Sequence, residues 1–115
     1  MDESILISIK ELLGVGLEED YFDPQIIMHI NTYIAVLAHI GLTTSSVFEV
    51  KNTSQTWGQL LGQRINNLNM VKSYIFIKVK LLFDPPPSSF VLESYKNQAV
   101  ELEWRINELA EEENI

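Results

Sequence analysis

The chain contains no cysteine. Disulfides, thiolate nucleophiles and cysteine-based zinc sites are therefore excluded together. A reducing compartment fits this composition. Basic residues are scarce: eight Lys and Arg stand against sixteen Asp and Glu, a net charge of −8. Such a chain gains nothing by neutralising phosphates, which argues against tight nucleic-acid binding. It is compatible with lining a path that DNA crosses without adhering. The N-terminal MDESILISIK is acidic and its apolar run short, unlike a signal peptide. The longest nearly uncharged run, 24–47, is broken by His29, Asn31, His39 and Gly41, so a buried helix explains it better than a membrane span. A Gly-rich phosphate loop, a G-x-S-x-G elbow and an H-E-x-x-H pair are all missing. His29 and His39 would stand roughly 15 Å apart along a helix, too far to share one ion. No catalytic residue, metal or cofactor is expected.

What is present is apolar and patterned. Hydrophobic residues make up 46% and charged residues 21%, enough to bury one core and too much apolar material for bulk disorder. At 115 residues, a single domain over 1–115 is expected. Ile5, Ile9, Leu12 and Leu13 recur at helical spacing behind Asp2 or Ser4 as a cap, with Gly14 and Gly16 as the stop. The stretch 17–22 reads as a solvated turn. Its Glu18, Glu19 and Asp20 are the only carboxylate cluster there for Mg²⁺ or catalysis, but nothing nearby cradles a phosphate. Asp23-Pro24 gives the clearest helix start, with Asp23 as N-cap and Pro24 at the first helical position. That helix runs to Ile40, with Gly41 behind it. It is apolar on most of its circumference, Gln25, His29, Thr32 and His39 sharing one stripe with Val36. Such a helix is either central in a bundle or covered by a neighbouring subunit.

Residues 43–54 are the least regular. One extended loop or a short strand is expected around 46–51; as a strand it would need a partner, which another subunit would supply. Thr56 and Gln59 stand at capping-box spacing before a short helix in which Trp57 is a packing anchor. The following 62–69 reads as a turn, with Asn67 capping what comes next. Residues 70–83 alternate like a strand at Ile75, Ile77, Val79 and Leu81. Their length and the lack of neighbouring strands favour a helix. Asp84, Pro85, Pro86 and Pro87 end it. The consecutive prolines lack donors and make a stiff extended joint of about 9 Å. From Ser88 or Ser89 a long C-terminal helix covers 88–112. In it Leu92, Tyr95, Ala99, Leu102, Ile106 and Leu109 step 3, 4, 3, 4, 3, an a/d seam. Val100 and Trp104 fall on the face away from the seam, where they form a second contact surface. The expected fold is mostly all-α, a small helical bundle of four to five helices.

Two blocks carry a resemblance. FDPQIIMHINTYIAVLAHIG covers 22–41, and VKSYIFIKVKLLFDPPPSSFVLESYKNQAVELEWRIN covers 71–107. Together they resemble the head-to-tail connector (adaptor) proteins of long-tailed bacteriophages, the siphoviruses. The D-P-P-x-S-S-F-V-L-E run followed by ELEWR is the most specific part, whereas 43–65 contributes nothing. The resemblance implies a virion structural protein rather than an enzyme, made in the host cytoplasm, with no cofactor. Copies would form a homo-oligomeric ring, expected to be a dodecamer, below the portal protein. The ring would extend the DNA channel and dock the next neck or tail-completion protein. Double-stranded DNA would pass without specific binding, and no membrane is involved. On that reading Leu92, Tyr95, Val100, Leu102, Trp104 and Ile106 are candidates for contact with the neighbouring protomer or the portal. Asp84, Pro85, Pro86 and Pro87 form the joint that sets the reach of the last helix. Glu18, Glu19 and Asp20 are candidates to face the channel. The alternative is a small helical regulatory protein that binds a partner through its C-terminal helix.

Overall fold

In the computed structural model, which describes residues 3–41 and 48–113, the first helix, α1 (Ile5–Leu13), opens at Ser4. The Ser4 Oγ accepts the Ile7 N–H at 3.3 Å and satisfies an otherwise orphaned donor. Gly14 closes the helix at φ 79°, its N–H turned back onto the Glu11 carbonyl. Gly41, at φ 98°, ends α2 (Asp23–Ile40) in the same way. A side chain would be strained at either position, so both stops use the residue that the geometry requires.

The start of α2 differs from expectation. Phe22 occupies the N-cap position and Asp23 is already helical, with no side-chain cap. The Asp23 carboxylate lies instead 2.9 Å from the Lys10 ammonium, as an ion pair. Asp23 is already inside the helix, past the position from which a side chain caps, and its carboxylate meets the Lys10 cation, which would be costly to bury alone.

Thr56 and Gln59 make the capping box of α3 (Trp57–Leu61). The Thr56 hydroxyl accepts the Gln59 N–H at 3.2 Å, and the Gln59 side chain accepts the Thr56 N–H at 3.1 Å. A 3₁₀ turn over Gly62–Asn67 follows and runs directly into α4 (Leu68–Phe83). Asn67 makes no side-chain cap there, because its backbone (φ −95°, ψ 11°) lacks the extended conformation that an N-cap needs. After the proline segment comes α5 (Ser89–Glu113). Ser88 opens it, its carbonyl accepting the Leu92 N–H at 2.9 Å.

α4 is the axis of the bundle, and α1, α2 and α5 all pack on it. Val71, Tyr74, Ile75 and Val79 of α4 join Ile5, Leu6 and Ile9 of α1, Ile26, Ile30, Ile34 and Leu37 of α2, and Trp57, Leu60 and Leu61 of α3 in one buried cluster. Each such aliphatic side chain stabilises the fold by about 1.5–3 kcal/mol. That outweighs the tenths of a kcal/mol that β-branched residues cost in α4, and so the alternating segment is a helix. α2 is therefore not central. One face serves the bundle, while Met28, Thr32 and Ala35 look outward.

Residues 48–51 form an extended loop and no strand. Val50 is buried, its N–H donating to Asn31 Oδ1 at 2.8 Å and its carbonyl accepting from Asn31 Nδ2 at 3.0 Å. The carboxamide of Asn31 thus stands in for a neighbouring strand. Val50 needs no strand from another subunit, which corrects that expectation; Ser46 and Val47 lie outside the described residues. Nearby, Ser4 and Thr56 form one antiparallel bridge that ties the start of α1 to the start of α3.

Candidate functional site

The acidic turn is solvated, as its composition dictates, but it is also anchored. Lys10 is only 3% exposed. Its Nζ donates to the Glu19 carbonyl at 2.7 Å and the Leu17 carbonyl at 3.4 Å, besides pairing with Asp23. With the carbonyls drawn inward, the side chains of Glu18, Glu19 and Asp20 all remain exposed. Tyr21 projects beside them, and Phe22 packs edge-on against Phe83 at 5.4 Å. Sequence reasoning missed Lys10. The available signal was its place on the same helical stripe as Leu6 and Leu13, where a lone cation must find internal partners.

The six interface candidates on α5 do not form one surface. Ile106 is fully buried in the core and offers no area to a partner. Leu92, Tyr95 and Leu102 are half-buried on the seam side, where α5 lies on α4 and the Tyr95 ring meets Phe76 at 6.3 Å. An open groove of about 750 Å³ remains along that junction, floored in part by Met70, Phe76 and Leu102. Val100 and Trp104 point the other way, 65% and 63% exposed. Phe90, 83% exposed, extends their stripe by two heptads from Trp104, a spacing visible in the sequence.

The joint connects α4 to α5 through few contacts of its own. The Asp84 N–H still bonds the Lys80 carbonyl at 2.9 Å, and the two side chains pair at 2.9 Å. Pro85 and Pro87 are exposed and Pro86 half-buried. Farther along, a polar cluster clamps α5 to the body. The Tyr74 hydroxyl donates to Glu103 Oε2 at 2.9 Å, and Lys78 pairs with the same oxygen at 3.5 Å. Lys78 also lies over the Tyr33 ring of α2, 5.7 Å from its centroid. Burial, then the hydrogen bond and charge of Glu103, push the Tyr74 phenol above its ordinary range.

His39 is exposed, and His29 is half-buried with Nε2 enclosed and unbonded. Among the described residues, no group of three or more His, Cys, Asp or Glu is placed to hold a metal ion. None of their helices is long and apolar enough to cross a membrane. What the arrangement offers is surface: an anchored acidic turn with an aromatic tip, and a long helix with an apolar outer stripe.

No curated protein and no solved structure matches the chain. A family model described as phage connector protein matches residues 5–113, nearly its whole length. With its fold of packed helices and its outward-facing surface, the chain belongs to the phage connector protein family, whose role in the virion is structural.

Proposed function

We propose that the protein is a head-to-tail connector that assembles as a ring below the portal, extends the DNA channel and docks the next neck or tail component. The observation that carries this reading is the family match across 5–113. The protomer is suited to it. A head-to-tail ring needs two different patches on each copy, and the outer face of α5 supplies one in Phe90, Val100 and Trp104. The joint at Asp84, Pro85, Pro86 and Pro87 fixes where α5 begins, and so where that patch is presented. The net charge of −8, repeated around a ring, would keep DNA from adhering to its wall. Glu18, Glu19 and Asp20, exposed on an anchored turn, are our candidates for the channel surface.

Native mass spectrometry and negative-stain imaging, with and without portal, test the assembly. Closed rings, or recruitment that depends on the portal, are expected. A protein that stays monomeric and ignores the portal would overturn the proposal.

A further inference from the structure

Exposed apolar residues are unevenly placed on the protomer. Six of the eleven large apolar side chains exposed among the described residues fall in two short segments: Leu17, Tyr21 and Phe22 in one, Leu82, Phe90 and Val91 in the other. These segments are distant in sequence but meet in the fold. Phe22 packs edge-on against Phe83 at 5.4 Å and against Tyr21 at 5.0 Å, which sets the start of α2 beside the end of α4. The joint, with Pro85 and Pro87 exposed, leads from there to the start of α5. One end of the bundle therefore gathers aromatic, leucine and proline surface that stays open in the protomer. Such a gathering marks a contact site more often than a bare monomer surface. The charges at this end have one sign. Stretches 17–23 and 81–93 contain six carboxylates, Glu18, Glu19, Asp20, Asp23, Asp84 and Glu93, and no Lys, Arg or His. Lys10 and Lys80 reach in and pair with Asp23 and Asp84. Glu18, Glu19, Asp20 and Glu93 make no ion pair with the described residues. The next cation along α5 is Lys96, about one turn past Glu93.

We propose that this end docks a neck protein other than this chain, one that presents apolar side chains ringed by Lys and Arg. The inference rests on the ring reading above and gives the chemistry of one of its docking partners. Aromatic side chains are favoured at the centre of protein contacts, and opposite charge around them steers and selects the partner. A second copy of the chain does not fit. Its own matching end would set carboxylates against carboxylates. Its other exposed apolar face, at Val100 and Trp104, carries Lys96 and Arg105 but also Glu93, Glu101 and Glu108, and Arg105 already pairs with Glu101. The same carboxylates turn away DNA. The apolar contact falls on Tyr21, Phe22, Leu82 and the prolines, and the acidic turn forms its border. A turn that faces the channel on one side thus meets the partner's basic rim on the other.

Hydroxyl-radical footprinting of the unmodified protein tests the site, read by mass spectrometry at Tyr21, Phe22 and Leu82. Three states are compared: isolated rings or free protein, rings bound to purified portal, and intact virions. Oxidation should be high in the first state and fall severalfold in virions, and the portal-bound state tells whether portal or another neck protein covers the site. Oxidation as high in virions as in the free protein would overturn the docking site and leave the ring reading standing. Protection already complete in isolated rings would overturn it in favour of a second copy. Absence of rings from the protein with portal present would defeat the ring reading itself and this site with it. The chemistry of the partner is tested by Glu93→Lys and, away from α5, by Asp20→Lys, each verified as folded by circular dichroism. Either change should weaken association with the neighbour that protects the site severalfold at low salt, and less at high salt. Unchanged or tighter association in both variants would overturn a basic partner.

Discussion

Trp57 and Trp104 are the two tryptophans of the chain, one fully enclosed and the other 63% exposed. Trp57 lies in the core cluster at the start of α3, and even its indole N–H is used, donating to Ser8 Oγ of α1 at 3.1 Å. Trp104 rides on a helix whose other face is the one turned toward α4. The same contrast holds for the regions that carry them. Helices α1 to α4 share one buried cluster, to which α5 adds Ile106, with Leu102 and Leu109 packed against it. The body is held by large buried side chains, whereas α5 is held along its seam on α4 by the small buried Ala99 and Ala110, by Ile106 and by the Tyr74–Glu103–Lys78 contacts. Folding and surface presentation are thus assigned to different parts of the chain. A mutation on the outer face of α5 should disturb partners more than the fold.

The contrast is sharpest under Trp57→Ala. Removing this enclosed ring should destabilise the protein by about 3–5 kcal/mol in chemical denaturation, with every helix affected together. Lys10→Ala comes next, at about 3 kcal/mol, because Asp23 and the carbonyls of Leu17 and Glu19 lose their partner. If Lys10→Ala is silent in denaturation, the turn is not anchored as the distances indicate. Ile106→Ala should cost about 2–3 kcal/mol. Its effect should be local: hydrogen exchange should accelerate in α5 while α1 and α2 stay protected. Uniform acceleration throughout would erase the distinction between body and arm.

Tyr74→Phe probes the clamp between them, with an expected loss of about 1 kcal/mol. It also carries a pH signature. The folded state holds the phenolic proton more tightly than the unfolded chain does. The Tyr74 contribution is therefore complete below the ordinary tyrosine value of about 10 and is lost as pH rises above it. The alkaline fall in stability should be shallower in Tyr74→Phe than in the parent protein. An identical fall in both would mean that Tyr74 is not held protonated. The smallest effect on folding belongs to Trp104→Ala, within about 0.5 kcal/mol. In the assembly assays of the proposed ring, that same variant should lose much of the oligomer. Equal losses of stability and assembly would make Trp104 a folding residue and remove the contrast between the two tryptophans.

Much of the helical frame was legible because it is written in local spacing. The capping box at Thr56 and Gln59, the glycine stops at 14 and 41, and the seam of α5 depend on residues three or four apart. α4 was legible for a different reason: its alternation fits a strand, but a strand of that length would have stood without neighbours. What escaped depends on long-range partners. Asp23 has the local marks of an N-cap and is diverted by Lys10, thirteen positions earlier. Asn31 reads as an interruption in an apolar helix, yet its carboxamide pairs with both backbone groups of Val50. The interface candidates on α5 were legible as a helix but not as a surface. Periodicity separates the two faces without saying which one another helix will cover. Ile106 and Trp104 were grouped together for that reason, and α4 separates them.

The anchoring of the acidic turn by Lys10 has a consequence for ionic strength. Exposed carboxylates are screened by counterions within about 10 Å at 0.1 M salt, so the field of Glu18, Glu19 and Asp20 will rise and fall with the medium. The Lys10 ammonium beneath them is enclosed, so its contacts are screened much less. Salt can weaken the field of the turn without altering where the turn is. A particle that meets both dilute and concentrated surroundings would keep the shape of this edge through both, and only the strength of its charge would vary.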